Sequence, residues 1–148
     1  RECELDVIIR RAVRRFAGEF IGRKLKLCYE PLNVSCVTDE KWLLFVIEQV
    51  LSNALKYTRA GSITIELEAP KTLVIRDTGI GVAPEDLPRI FEKGYTGYNG
   101  RGDQKASGLG LYLCRTICKR LGHTITASSV PDHGTAIRIT LEQRQVRE

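Results

Sequence analysis

The sequence predicts an α/β (α+β) two-layer sandwich, with a mixed, mostly antiparallel sheet covered on one face by about three helices. Three observations carry this expectation. Runs with helical period and runs with period two follow one another in mixed order, without a clean strand-helix-strand repeat. Two pairs of alternating segments are separated only by short turn signals, as hairpins are. A chain of 148 residues, 43% hydrophobic and 28% charged, can bury one core but not two.

The elements follow in order. Asp6 to about Ile21 has helical period, and Gly22 is placed to end it. Lys24 to Leu27 alternates and, with Cys28 and Tyr29, makes a short strand ahead of Pro31. Asp39, preceded by Thr38, caps a long helical run to about Thr58, which Gly61 breaks. Ser62 to Glu68 alternates, Pro70-Lys71 supplies a turn, and Leu73 to Ile75 resumes as the second arm of a hairpin. Gly79 to Gly110 carries eight glycines, and a connection that long inside a compact domain is usually functional. Leu111 to Leu121 returns to helical period until Gly122. Thr124 to Ser128 and Thr135 to Leu141 are then two last strands around the Pro131-Asp132-His133-Gly134 turn.

Composition removes several function classes. The surplus of 23 Lys+Arg over 18 Asp+Glu is only +5, and although Arg10, Arg11, Arg14, Arg15 and Arg23 cluster near the start, they read as the solvated side of an amphipathic helix. No nucleic-acid partner is expected. No window approaches the roughly 20 apolar residues of a membrane-spanning helix. The cysteines, Cys3, Cys28, Cys36, Cys114 and Cys118, form no C-x-x-C pair and are expected to be free thiols. There is no Met, even at position 1, so the chain is expected to be a piece of a longer protein.

Three constellations carry chemistry. Successive helical residues turn by about 100°, so Gln49, Asn53 and Lys56 fall within about 60° of one another. They form a polar stripe that packing does not require, since Leu43, Val46, Ile47, Val50, Leu51, Ala54 and Leu55 occupy the rest of that helix. An amide oxygen is a hard ligand for Mg²⁺, and a lysine can meet phosphate as a point charge. Asp77-Thr-Gly-Ile-Gly81 follows a strand; its carboxylate can accept from an exocyclic amine, such as that of adenine, while its glycines let backbone approach a ligand. Ser107-Gly-Leu-Gly-Leu111 stands where a glycine-rich loop meets a helix, a seat for phosphate on free N–H groups. Neither a Walker nor a dinucleotide fingerprint is present.

Taken in order, Asn53-Ala-Leu-Lys-Tyr-Thr58, Asp77-x-Gly-x-Gly81, Ile90-Phe-Glu-Lys-Gly94, Gly108-Leu-Gly-Leu111 and Gly134-Thr135 resemble the N box, first glycine box, F box, second glycine box and third glycine box of the sensor histidine kinase ATP-binding domain. The resemblance runs from about Asp6 to Leu141. Thr38-Asp-Glu-Lys-Trp42 and Gly94-Tyr-Thr-Gly97 further resemble the kinases that pair with peptide-antibiotic exporters in Gram-positive bacteria. The resemblance implies a Bergerat fold and a division into a linker remnant at 1–5, an ATP-binding catalytic domain at 6–142 and a tail at 143–148. It implies that Asn53 holds Mg²⁺, Lys56 contacts phosphate, Tyr57 lies by the adenine and Asp77 receives its amine. Gly81 and Thr135 would complete the adenine pocket, with Gly79 and Ile90 counted with the site through their boxes. Gly108, Leu109, Gly110 and Leu111 would cradle phosphates. About Pro88 to Ser107 would be a lid, mobile without nucleotide, with Arg101 and Lys105 as candidates for the γ-phosphate.

One position departs from that pattern. Gln49 stands where a second asparagine is common in the kinases and where a glutamate activates water in the ATP-hydrolysing relatives. Glutamine has no basicity for that role, and Glu48 points about 100° away. The resemblance therefore implies a kinase that transfers the ATP γ-phosphoryl group to a histidine on a separate dimerisation domain, from which a response regulator takes it. The fragment would belong to the cytoplasmic part of a membrane-anchored kinase without touching the membrane itself. Neither His123 nor His133 resembles the acceptor. A superfamily ATPase, an anti-sigma-factor-type serine kinase and a non-catalytic interaction domain are the alternatives.

Overall fold

The computed structural model describes residues 1–95 and 110–141. In chain order these residues form β1 (Glu2–Glu4), α1 (Leu5–Gly22), β2 (Lys26–Tyr29), β3 (Ser35–Val37), α2 (Glu40–Tyr57), β4 (Ser62–Glu68), β5 (Thr72–Asp77), a 3-10 turn (Leu87–Arg89), α3 (Gly110–Leu121), β6 (Thr124–Val130) and β7 (Gly134–Thr140). One five-stranded sheet has the order β2-β4-β5-β7-β6. Its only parallel pair among the described strands is β2 with β4. The two-layer, mostly antiparallel architecture expected from the sequence is the one observed.

Register follows the apolar pattern. Ile65, Ile75, Ile137 and Ala127 face one another in a row across four strands, and Leu67, Leu73, Ile139 and Ile125 form the next row. A slip of one residue would turn both rows outward. The opposite face is polar: Arg76 lies 2.7 Å from Glu66, and Arg138 lies 3.0 Å from Glu68. The Val74 side chain, fully buried, stands between Glu66 and Arg138 in the ladder, where the flanking arginine stems can cover it.

Helix α2 packs against both α1 and α3, and Leu43, Val46, Ile47, Val50, Leu51, Ala54 and Leu55 are all buried. Each large apolar side chain so buried contributes about 1.5–3 kcal/mol. The α1–α2 ion pairs Arg11–Glu40 and Arg15–Glu48 lie at the surface, where such pairs contribute about 0–1 kcal/mol. Apolar packing therefore decides the helix arrangement. The Asp39 side chain accepts from Trp42 N at 3.1 Å, as its capping position predicts. Arg23 donates from Nη1 and Nη2 to the carbonyls of Leu55 and Thr58, each at 2.8 Å, closing the other end of α2.

Several details differ from expectation. Gly22 remains inside α1, and the left-handed residue that turns the chain is Lys24 (φ 56°); Gly122 (φ 84°) does end α3. Segment 2–4 pairs antiparallel with β3 as an unanticipated ribbon, placing the free thiol Cys3 directly opposite Cys36. Cys114 and Cys118 are fully buried, and burial holds both thiols far above their usual range, Cys118 at about 12. Cys28 alone is half-buried. Among the described residues no helix is long and apolar enough to cross a membrane.

The first turn of α1 contains a buried carboxylate. Asp6 is 7% exposed and accepts from the Tyr29 hydroxyl and from the backbone N–H groups of Leu32 and Asn33, the latter at 2.7 Å. Burial by itself would raise the Asp6 carboxyl. The three donors and the Arg10 charge outweigh it and hold the group below its usual range. Asp6 thus joins α1 to the β2–β3 connection. An acid with a depressed folded-state pKa stabilises above its unfolded pKa of about 3.9 and loses that contribution as pH falls through the folded value. Asp6→Asn should therefore cost about 1–3 kcal/mol at neutral pH. In urea unfolding the gap to the parent protein should close below about pH 4.

Candidate functional site

Asp77 ends β5, the middle strand of the sheet, and is 8% exposed. Its Oδ1 accepts from Gly79 N at 2.9 Å and from Thr135 N at 3.2 Å. Burial raises the carboxyl, while those two amides pull it down; the net shift is upward. Among the described residues no ion pair includes Asp77. A carboxylate held in place by neutral donors through one oxygen keeps acceptor capacity on the other.

The loop after Asp77 is fitted against two neighbours. On one side Ile80 N donates to the Tyr57 carbonyl at 3.1 Å, and a side chain at Gly79 would strike that same carbonyl. On the other side Ile80 O accepts from Asp132 N at 2.7 Å, and Val82 N donates to Ser129 Oγ at 2.7 Å. Gly81 (φ 74°) lies against the Val130 carbonyl, and Gly134 (φ 113°) lies against the Asp77 carbonyl, so neither has room for a Cβ. The loop is thereby held between the end of α2 and the β6–β7 turn.

Gln49, Asn53 and Lys56 are all half-buried, between the buried ridge of α2 and its solvent side. Gln49 Oε1 would lie 3.1 Å from a Cβ placed on Gly110, the first residue of α3. Tyr57 meets the Asp77 loop eight residues further along α2, a rise of about 12 Å, with Asn53 midway. The amide stripe, the carboxylate loop and the start of α3 therefore adjoin one helix face. Burial lowers the Lys56 ammonium and raises the Tyr57 phenol. Lys56 Nζ lies 5.4 Å from the Tyr57 ring centre, and no carboxylate pairs with it among the described residues. A half-desolvated ammonium in that position is ready to receive an anion.

The remaining expected residues divide. Thr135 is at the carboxylate and Leu111 packs partly on the core. Ile90, with Phe91, is buried in the core, 5% exposed, so its side chain anchors the segment after the 3-10 turn. Arg101, Lys105, Gly108 and Leu109, and with them most of the expected lid and its mobility, lie outside the described residues. Glu48 reaches Arg15 on α1 at 2.8 Å, turned away from Gln49 as the helical geometry requires. His123 is buried, with Nε2 2.9 Å from Thr38 Oγ1. Two participants went unread: the Tyr57 carbonyl and Ser129, whose place on an alternating strand looks like any polar outward position. Among the described residues no group of three or more His, Cys, Asp or Glu comes together to hold a metal. Magnesium would fit only as a partner of phosphate oxygens plus a side-chain oxygen such as that of Asn53, a common mode for this ion.

Comparison with known proteins shows the family of the chain. The family model described as "Histidine kinase-, DNA gyrase B-, and HSP90-like ATPase" matches residues 38–145. The chain is 36% identical over 141 residues to the sensor histidine kinase YxdK of Bacillus subtilis (strain 168), covering 92% of this chain and 42% of that one. It is 42% identical over 107 residues to the sensor protein BceS of Halalkalibacterium halodurans, covering 70% of this chain and 32% of that one. The chain thus spans less than half the length of these curated relatives. Among solved structures, the mycobacterial sensor histidine kinase MprB matches with a TM-score of 0.79 at 24% identity over 95% of this chain and 97% of that one, a likeness of fold.

The close approach at Gly134 makes a sharp test of this packing. Gly134→Ala places a Cβ against the Asp77 carbonyl at a backbone angle that disfavours it, and should destabilise by about 2 kcal/mol or more. Chemical denaturation checks it, and a loss below 0.5 kcal/mol, the ordinary range for a surface change, would contradict the packing described.

Proposed function

This chain belongs to the histidine kinase-, DNA gyrase B- and HSP90-like ATPase family, and from that premise we propose that it is the ATP-binding catalytic domain of a two-component sensor histidine kinase. Its substrate is ATP. The γ-phosphoryl group goes to a histidine on a dimerisation domain of the same kinase, and from there to an aspartate of a response regulator. The domain sits on the cytoplasmic side of a membrane-anchored protein.

One observation carries the reading: a buried carboxylate, an amide-bearing helix face and a helix start adjoin along α2. In the proposed complex the second oxygen of Asp77 accepts from the adenine amine, and Tyr57, Gly81 and Thr135 bound the base. Lys56 meets phosphate. Asn53, with Gln49 beside it, would hold Mg²⁺, which when bound offsets phosphate charge. Gly108 to Leu111 would cradle the phosphates by the family pattern, with Arg101 and Lys105 as candidates for the γ-phosphate. Phosphoryl transfer asks a protein mainly for positioning and charge neutralisation. The pairing of Glu48 with Arg15 supports transfer over hydrolysis, because it leaves Gln49, and no carboxylate, on the α2 side next to Gly110.

The deciding experiment is a melting measurement with Mg-ATP, followed by incubation of labelled ATP with the domain and a dimerisation domain. Ligand at 100 times its Kd should add about 2.7 kcal/mol, and label should appear on the acceptor histidine. No shift at millimolar Mg-ATP would refute the assignment.

Asp77→Asn separates binding from stability. The new side chain can still accept from Gly79 and Thr135 through its oxygen but sets an NH₂ where the amine should be received, so ATP affinity should fall about 10- to 100-fold, the range for a lost charged hydrogen bond. Because burial raises the Asp77 carboxyl, its ionised form costs stability above its unfolded pKa of about 3.9. The nucleotide-free variant should melt no lower than the parent at pH 7. Asn53→Ala should weaken ATP binding mainly when Mg²⁺ is present, and equal loss with EDTA would remove the metal role.

A further inference from the structure

We infer that Ser129 sets a preference for a 6-amino over a 6-keto purine by committing the hydroxyl proton of Thr135. The inference rests on the nucleotide reading above and follows from proton accounting around one side chain. Among the described residues Ser129 Oγ has three hydrogen-bond partners: Val82 N at 2.7 Å, the Gly134 carbonyl at 2.9 Å and Thr135 Oγ1 at 2.9 Å. A hydroxyl has one proton and two lone pairs. The Val82 N–H can only donate and the Gly134 carbonyl can only accept, so the Ser129 proton goes to Gly134. The remaining lone pair of Ser129 must then receive the proton of Thr135.

Thr135 is left as an acceptor toward anything that approaches it. Its own N–H is already engaged by Asp77, so Asp77 and Thr135 together present acceptors and no free proton. A ligand edge bearing two N–H hydrogens matches them, directly or through a water. A carbonyl oxygen there would face acceptors only and lose its own hydrogen bonds. Ser129 acts through Thr135 and the loop at Val82, and is a specificity-determining positioning residue rather than a catalytic one.

ATP and ITP, which differ at the purine 6-position, are the probes, and calorimetric binding of each to the parent chain, Ser129→Ala and Ser129→Thr is the test. The parent should prefer ATP. Ser129→Ala frees the Thr135 hydroxyl to turn and donate, so ATP should weaken about tenfold while ITP does not, the order expected for one hydrogen bond. Ser129→Thr, which keeps the hydroxyl, should restore the preference. An unchanged ATP/ITP ratio in Ser129→Ala, or equal weakening of both nucleotides, overturns the inference while leaving ATP binding intact. A parent chain that binds neither nucleotide overturns the underlying reading with it. Should Ser129→Ala fail to fold, Thr135→Val removes the acceptor with Ser129 in place, and an unaltered ratio there is equally fatal.

Discussion

The confinement of α2 governs the rest of the molecule. It is pressed between α1 and α3 over the sheet, so its apolar residues must occupy most of its circumference; Glu40 and Glu48 turn to α1, and Gln49, Asn53 and Lys56 are left one narrow direction of their own. That direction meets the beginning of α3 near Gln49 and the Asp77 loop near Tyr57. The site is thus a by-product of packing in the useful sense: the forces that fix the core also fix where an amide and an ammonium can go. The Arg23 guanidinium, which closes the last carbonyls of α2, sets where that face stops.

At the other end of the site the sheet supplies what a helix cannot. A carboxylate at the end of the central strand is buried without a counter-charge among the described residues, and the backbone amides of Gly79 and Thr135 hold it. Backbone donors are less movable than side chains, because they belong to segments already fixed by their own hydrogen bonds. The glycines at 79, 81 and 134 allow these segments to approach so closely. Gly79 and Gly81 serve the loop after Asp77, and Gly134 opens β7. Together they make a rigid floor under a carboxylate whose second oxygen remains available.

Much of this could be read in the sequence, for identifiable reasons. Long segments with a clear period, such as α2 and the β4–β5 hairpin, declare themselves because burial on one side imposes the pattern. The boxes around Asn53, Asp77 and Gly134 declare themselves because close backbone approach excludes other residues. What stayed hidden lacks such imprint. Three-residue strands such as β1 and β3 are too short to show a period. The parallel pairing of β2 with β4 depends on where α2 returns the chain, which no local signal states. Asp6 reads as an ordinary acid in a first helical turn until the β2–β3 connection folds over it. Ser129 looks like any serine on an outward strand position until Val82 and Thr135 arrive from distant parts of the chain. Lys24 could adopt the left-handed turn expected of Gly22 because Leu25 N reaches back to Phe20 O at 3.0 Å.

The distribution of sulfur in the fold has a practical side. Cys3, Cys36, Cys114 and Cys118 are buried, and the last two are held as neutral thiols by their surroundings. Cys28 is half-buried on β2, paired in register with Thr64, at the far edge of the sheet from β6. Alkylating reagents attack thiolate, so a maleimide dye finds one preferred attachment point without any cysteine having to be removed. A fluorophore fixed there would report nucleotide arrival by energy transfer from a labelled ATP analogue, at a distance from Asp77 set by the width of two strands.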